Sequence, residues 1–263
     1  MRKYENPKHY KLFLSQQLKF DFYKEKMKLW NDYFNNRFSG YAVFNICGAY
    51  CLLKWFAQKE RGSILELGGG TGGAAVKVFS AFRKADILHT IDKYVFSDVS
   101  PLFLRVGNRA FTDLFPETDD KVELKTLDFN KPFSAQKIHP GSFDAIYAVN
   151  ALHVSYDLLA SLKEIYTTLK EKGILVISEL VRMSEEDVLP QEIIFTLLDS
   201  YYNVKTDSLL RRNFGFLTPE AWKRHFTMAG FNNIEMITNA DYDTYQSSGN
   251  NGPVFMLIIK GQK

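Results

Sequence analysis

Residues 64 to 73 read Ile-Leu-Glu-Leu-Gly-Gly-Gly-Thr-Gly-Gly, an apolar run that breaks into glycines just before a helix-like segment, Ala74 to Ala85. The run suits a buried parallel strand, and the glycines allow positive φ and a closer approach of backbone to ligand than side chains would permit. A helix starting there would turn its first amides toward the bound molecule. Gly68, Gly70 and Gly73 also satisfy the Gly-x-Gly-x-x-Gly spacing of a dinucleotide loop, so the glycines alone do not choose a cofactor. Glu66 bears on the choice. An acid inside the turn would repel a pyrophosphate, whereas it suits a ligand carrying an ammonium group and ribose hydroxyls, such as S-adenosylmethionine. Under that reading Glu66, Gly68, Gly70, Thr71 and Gly72 face a nucleoside cofactor; the plainer alternative is a structural strand-to-helix turn.

Three further strand ends carry polar residues where a doubly wound sheet binds its ligands. Asp98 closes Tyr-Val-Phe-Ser-Asp, where its carboxylate could accept both ribose hydroxyls or could cap the helix beginning near Pro101. Asp128-Phe129 follows the next run, the acid placed for an adenine amino proton and the ring for the base, with a simple turn acid as the alternative. The last end is Ala148-Val149-Asn150-Ala151-Leu152-His153. Here Asn150 is placed toward the cofactor, and His153 lies where a reactive methyl would be; an imidazole is suited to general-base work near neutral pH. Glu179 ends the neighbouring strand and could accept the second imidazole N–H, fixing the tautomer. A satisfied surface histidine is the bland alternative. His9, His89, His139 and His225 have no comparable context.

The elements that must hold these residues alternate. Strand-like runs at Ser63–Leu67, Tyr94–Asp98, Val122–Leu127, Phe143–Val149 and Ile174–Glu179 are separated by helical segments Gly72–Ala85, Pro101–Phe115 and Leu158–Leu169, the last stopped by Lys172-Gly173. Alternation of this kind predicts a parallel sheet. Pro190–Tyr202 interrupts the rhythm as an aromatic helix. Thr218-Pro219-Glu220 then caps a helix running to Ala229 before Gly230, and Ile234–Ile237 and Val254–Ile259 are joined by a polar loop without a helix, which predicts an antiparallel pair. The expected fold class is α/β, a doubly wound, seven-stranded, mostly parallel sheet. Its expected organisation is an N-terminal helical cap over residues 1–60, a cofactor-binding core over 61–180, an inserted helical cap element over 181–215, and the rest of the core over 216–263. Within the first cap, amphipathic helices are expected at Lys8–Arg37 and Ala42–Gln58.

Composition bounds the function classes. Lys and Arg number 33 against 30 Asp and Glu in 263 residues, a formal +3 with no long basic stripe, which argues against nucleic acid as a partner. Cys47 and Cys51, four apart in an apolar helical stretch, read as core packing; without histidine neighbours they do not complete a metal site, and no metal is expected. No apolar stretch reaches the roughly 18 residues a membrane span needs, and Met1–Lys11 has no apolar leader core, so a soluble cytoplasmic protein is expected.

With these residues in place, Ile64–Gly73, Phe96-Ser-Asp-Val-Ser-Pro-Leu-Phe-Leu, Phe143–His153 and Gly173–Glu179 together resemble the class I S-adenosylmethionine-dependent methyltransferases, and most resemble the carbon-methyltransferase domains of polyketide synthases. The resemblance implies a Rossmann-like fold, cofactor contacts at Glu66 and Asp98, and a His–Glu dyad at His153 and Glu179. It extends through Phe195–Tyr202, Asp207–Arg212 and Phe216–Trp222 to about Ile237, similar to that family's inserted cap. No ketosynthase, acyltransferase or carrier segment accompanies the motifs, so the chain reads as a standalone form. The departures are Gly69, where larger residues are frequent, and Tyr201-Tyr202, where that family tends to carry tryptophans.

The expected activity is methyl transfer to a small-molecule or acyl-carrier-bound acceptor, an acidic carbon between carbonyls, with His153 as base. Small-molecule O-methylation of a phenol or enol keeps the same site, a nicotinamide-dependent oxidoreductase with Asp92 as ribose acid uses the same glycine spacing, and a non-catalytic adaptor could retain the fold. Phe195, Tyr201, Tyr202 and Trp222 are candidates to line the acceptor pocket, although helical aromatics are more often core. Arg211-Arg212 reads as a solvated loop or as a contact for a carrier protein's acidic surface or phosphate.

Overall fold

The computed structural model describes residues 40–187, 189, 192–195, 199–238 and 256–263. The expected helix at Lys8–Arg37, residues 239–253 of the polar loop expected before the last strand, and the start of that strand at Val254 lie outside them. The chain divides into two units, Met1–Ala42 and Val43–Lys263.

Each strand expected from a short apolar run is present. Among the described residues β1 (Gly62–Leu67), β2 (Ile91–Asp98), β3 (Val122–Thr126), β4 (Phe143–Val149), β5 (Leu169–Leu180), β6 (Asn232–Thr238) and β7 (Met256–Gln262) form one sheet in the order β3-β2-β1-β4-β5-β7-β6. The first five run parallel, and β7 pairs antiparallel with both β5 and β6. The expected antiparallel final pair is therefore found. The strand order reverses beside β1, which has β2 on one side and β4 on the other, and the crevice at such a switch point is where open α/β sheets hold ligands.

Helices cover both faces because both faces are apolar. On one side α1 (Gly40–Phe56), α2 (Gly73–Lys84) and α3 (Pro101–Thr112) meet the face carrying Ile64, Glu66, Tyr94, Phe96 and Tyr147. Phe79 of α2 lies 4.8 Å from the Tyr94 ring, and Phe111 of α3 lies 5.2 Å from Phe96. Gly48 lets α1 approach the sheet, since a Cβ there would stand 2.8 Å from the Tyr147 ring. On the other side α4 (Leu158–Thr168) and α7 (Pro219–Ala229) bury Leu162, Ile165, Trp222 and Phe226 against Leu65, Leu67, Ile146, Leu175 and Ile177. Fully burying each such side chain stabilises the fold by about 1.5–3 kcal/mol. Between β5 and α7, α5 (Glu192–Phe195) and α6 (Asp199–Tyr202) fall within the aromatic helix expected at Pro190–Tyr202.

Several local expectations are corrected. The helix expected to reach Leu169 ends at Thr168, and Lys172-Gly173 is not its stop but part of an irregularity inside β5, where the register jumps from Phe143 opposite Leu169 to Ala145 opposite Ile174. Lys172 takes φ +63, and a Cβ on Gly173 would meet the Lys170 and Asp144 carbonyls at 2.8 and 3.0 Å. Burying Leu169 and Ile174 on the sheet forces the polar residues between them to bulge. The helix expected to reach Phe115 ends at Thr112. Cys47 and Cys51 are free, half-buried thiols on α1 rather than core residues, and burial raises both above the ordinary thiol range. By contrast α7 keeps its expected ends: Thr218 accepts from the Ala221 amide, Pro219 follows, and Gly230 closes the helix at φ +103.

Candidate active site

The glycine loop is held from three sides. Gly68, Gly70 and Gly72 take φ of +63, +55 and +84. The Gly69 amide donates to the Ser97 carbonyl at 2.8 Å, and the Gly72 amide returns to the Gly69 carbonyl at 3.0 Å. Gly69, the unusual residue of the run, has a direct cause: a Cβ there would lie 2.2 Å from the Phe96 ring, and one on Gly107 of α3 would lie 2.4 Å from the same ring. The ring fills the space under the loop, and the two glycines make room for it. At Gly70, by contrast, a Cβ would meet nothing within 4 Å. This leaves a bare backbone beside open space at the start of α2, which fits the close approach a nucleoside cofactor requires.

Asp98, 6% exposed, braces this loop. One carboxylate oxygen accepts from the Gly70 amide at 3.0 Å and the other from the Ser100 amide at 2.8 Å. The N-cap of α3 is therefore Ser100, whose hydroxyl faces the Phe103 amide, and not Asp98. Burial raises the Asp98 carboxyl despite these donors. Glu66 is buried on the β1 face and accepts from the Tyr94 hydroxyl at 2.6 Å; burial pushes its carboxyl up to about 8. Expected as an open charge, Glu66 is instead held as a buried carboxyl. Asp128 accepts from the Asn130 amide at 3.0 Å and pairs with Lys131 at 3.3 Å, while the Phe129 ring lies 3.9 Å from where a Gly68 Cβ would be. Thr71 is buried in the loop. Asn150, at φ +46, donates its amide to the Ser178 carbonyl at 2.9 Å and accepts from the Leu180 amide at 2.7 Å, tying the ends of β4 and β5 together.

The ends of β4 and β5 bring His153 and Glu179 together. His153 sits in the one-turn 3-10 helix Leu152–Val154, with Nδ1 2.8 Å from Glu179 Oε2. The other Glu179 oxygen accepts from the amides of Ala151 and Leu152 at 3.0 and 2.9 Å. With the carboxylate accepting, Nδ1 carries a proton, and the neutral form of the ring presents a lone pair at Nε2. That Nε2 is buried and has no hydrogen-bond partner among the described residues. An orphaned acceptor on a buried ring costs about 1–3 kcal/mol, so its retention points to use. The turn also abuts the glycine loop, since a Cβ on Gly68 would stand 2.7 Å from the Ala151 Cβ.

The segment between β5 and α7 closes over the imidazole with Phe216 at 4.6 Å, Phe195 at 5.9 Å and Tyr201 at 6.3 Å between ring centres. The Tyr201 hydroxyl donates to Glu192 at 2.6 Å, and Glu192 also pairs with Arg182. Tyr202 stands one ring away, against Phe214 at 4.9 Å. Trp222 is fully buried in the core beside Phe226, which is the bland alternative for a helical aromatic. Phe216 escaped the sequence reading of the pocket, because an aromatic in a loop carries no periodic signal. Arg211 contradicts both of its expected roles: it is 3% exposed and donates to the carbonyls of His153, Ser155 and Gly215 at 2.6, 3.1 and 2.9 Å. Arg212 is exposed and bonds the Ser208 carbonyl.

Fold and site together define a Rossmann-like, S-adenosylmethionine-dependent methyltransferase: residues 65–175 match the methyltransferase domain family. This decides between the cofactors that the glycine spacing leaves open and sets aside the nicotinamide reading. The chain is 28% identical over 204 residues to polyketide synthase ThaQ of Burkholderia thailandensis, covering 78% of itself and 9% of that protein. It is 28% identical over 174 residues to methyltransferase calH of Penicillium decumbens, covering 66% of itself and 44% of that protein. The crystal structure of CurJ carbon methyltransferase superposes with a TM-score of 0.73 at 23% identity, over 94% of this chain and 60% of that one, a likeness of fold. The chain thus spans less than two thirds of each. Among the described residues no helix is long and apolar enough to cross a membrane, and no His, Cys, Asp or Glu group could hold a metal ion.

Proposed function

We propose that the protein methylates an acidic carbon flanked by carbonyls, as in a β-ketoacyl thioester, free or tethered to a carrier protein, with His153 as general base and Glu179 as its support. The observation that carries this reading is the imidazole itself, whose Nδ1 is fixed by a carboxylate that also accepts two backbone amides, leaving Nε2 as a lone pair without a partner. The names of two similar proteins, a polyketide synthase and a carbon methyltransferase, support carbon as the acceptor atom. When bound, S-adenosylmethionine supplies an electrophilic methyl group on a sulfonium centre.

The chain's own residues do the rest. Gly68, Gly70, Thr71 and Gly72 hold the cofactor at the start of α2, Asp98 takes the ribose, Asp128 and Phe129 take the base, and Asn150 and Glu66 complete the floor. His153 Nε2 removes the proton from the acceptor carbon, and Glu179 stabilises the imidazolium that results. Phe195, Tyr201 and Phe216 exclude water around the reacting carbon, so acceptor entry requires that these rings part. General-base removal accounts for roughly a hundred- to ten-thousand-fold of the rate, with positioning carrying much of the remainder.

Replacing His153 by Ala is therefore expected to lower methyl transfer by about that factor while calorimetry finds cofactor affinity unchanged. Equal loss of both would make the histidine structural. A labelled methyl found on oxygen instead of carbon would move the acceptor to a phenol or enol.

A further inference from the structure

The turn that carries His153 is gripped at both ends. At its amide end Glu179 accepts from Ala151 and Leu152. At its carbonyl end a second charged group does the complementary work: the guanidinium of Arg211 reaches back 58 positions in sequence to the His153 carbonyl at 2.6 Å and 56 positions to the Ser155 carbonyl at 3.1 Å. The same fork bonds the Gly215 carbonyl at 2.9 Å and the Asn213 carbonyl at 3.3 Å, so it also fastens the segment that brings Phe216 against the imidazole. A buried carboxylate at the amide end of a turn and a buried guanidinium at its carbonyl end both match the turn's backbone dipoles.

The charges around the imidazole also balance. The charged groups nearest the turn are Glu179 from β5, bonded to the imidazole, and Arg211 from the segment after α6, bonded to backbone carbonyls of the turn, with Glu185 and His225 also close enough to feel the Arg211 charge. Tyr201 from α6 is held by Glu192 of α5, and Glu192 is paired with Arg182. Phe195 and Phe216 complete the enclosure without charge. Arg182 and Glu192 neutralise one another, which leaves Arg211 as the positive partner of Glu179 across the turn. Burial and the neighbouring Arg182 lower the Arg211 guanidinium to about 10, which keeps it charged at neutral pH. A buried cation that touches no carboxylate among the described residues is costly to hold, and a site that gives it four carbonyls has a use for the charge.

We infer that Arg211 is the positioning residue of the imidazole: it locks the carbonyl end of the His153 turn and supplies the positive charge that offsets Glu179. This rests on the reading of His153 as the base. Without the cation, the uncompensated field of Glu179 favours the imidazolium, which cannot accept a proton, and the freed carbonyls let the turn swing.

The test uses the full chain labelled with ¹⁵N-histidine, the His153 signals being assigned by their absence from a His153→Gln variant. Imidazole titration by NMR is followed from about pH 5 to about pH 9. Arg211→Met is expected to move the His153 midpoint upward by about one pH unit. The neutral-pH rate on a β-ketoacyl N-acetylcysteamine thioester is expected to fall by about tenfold or more, partly recovering on the alkaline side. Arg211→Lys keeps the charge but cannot bridge four carbonyls. Its midpoint is expected to stay with the wild type, and its rate to fall several-fold. A folded Met variant with an unmoved midpoint overturns the proposal, as does a Lys variant that titrates like the Met variant or reacts at the wild-type rate. Should the Met variant fail to fold, the Lys variant decides on the same two readouts. His153→Ala measured alongside separates the two claims: wild-type activity there sinks the base assignment itself, whereas the Arg211 midpoints judge the positioning role.

Discussion

At Glu66 the protein keeps a carboxyl in a place that disfavours its charge. Burial lifts it from 4.5 to about 8, against the opposing pull of the Tyr94 hydroxyl. The unfolded chain ionises at the lower value. Between the two values the folded protein therefore retains a proton that the unfolded chain has released, and the stability this group contributes is complete below about 4.5 and is lost as pH rises toward about 8. Each pH unit in that window is worth about 1.4 kcal/mol, so a few kcal/mol is at stake by neutral pH. Glu66→Gln keeps an acceptor for Tyr94 and removes the titration. Urea unfolding of wild type and variant across the window is expected to give curves that diverge as pH rises, the wild type losing stability relative to the variant; parallel curves would show that Glu66 does not hold its proton.

The glycine loop, β2 and α3 act as one element through the Phe96 ring. Gly69 and Gly107 each face it at less than van der Waals distance for an added Cβ, and Asp98 ties the Gly70 amide to the start of α3. Gly69 has no positive φ, so Gly69→Ala is a steric test and not a conformational one. It is expected to cost about 1–3 kcal/mol by overpacking, and Phe96→Leu in the same chain is expected to return part of that. Thermal unfolding of the two single variants and the double variant measures the coupling. Strictly additive losses would mean that the ring is not what demands the glycine.

Over the whole molecule, what the sequence made legible follows from how local each signal is. The sheet could be read because Leu65, Val95, Ile146 and Ile177 sit in short apolar runs with alternating partners, and α7 could be read because Thr218, Pro219 and Gly230 mark its ends. The meeting of His153 with Glu179 was legible for a similar reason, since the carboxyl ends of adjacent parallel strands lie side by side. The bulge at Lys170–Gly173 was not, because it arises from the register of two buried residues on either side of a polar stretch. Neither was Arg211: its partners are carbonyls more than fifty residues earlier, and a pair of arginines in a polar loop reads locally as solvated charge. Phe216, in a loop, carries no periodic signal, and Trp222 lies in the core, the commoner of its two expected places, since a helical aromatic looks alike in sequence whether it faces the core or a ligand.

In the proposed mechanism the unpartnered His153 Nε2 takes a proton from carbon. Hydrogen exchange in heavy water tests this most directly, with S-adenosylhomocysteine in place of the methyl donor and a β-ketoacyl N-acetylcysteamine thioester as acceptor. The wild type is expected to place deuterium on the carbon between the two carbonyls faster than solvent does, and His153→Ala is expected to lose that acceleration while still binding S-adenosylhomocysteine. A variant that exchanges the carbon-bound hydrogen as fast as the wild type would contradict it.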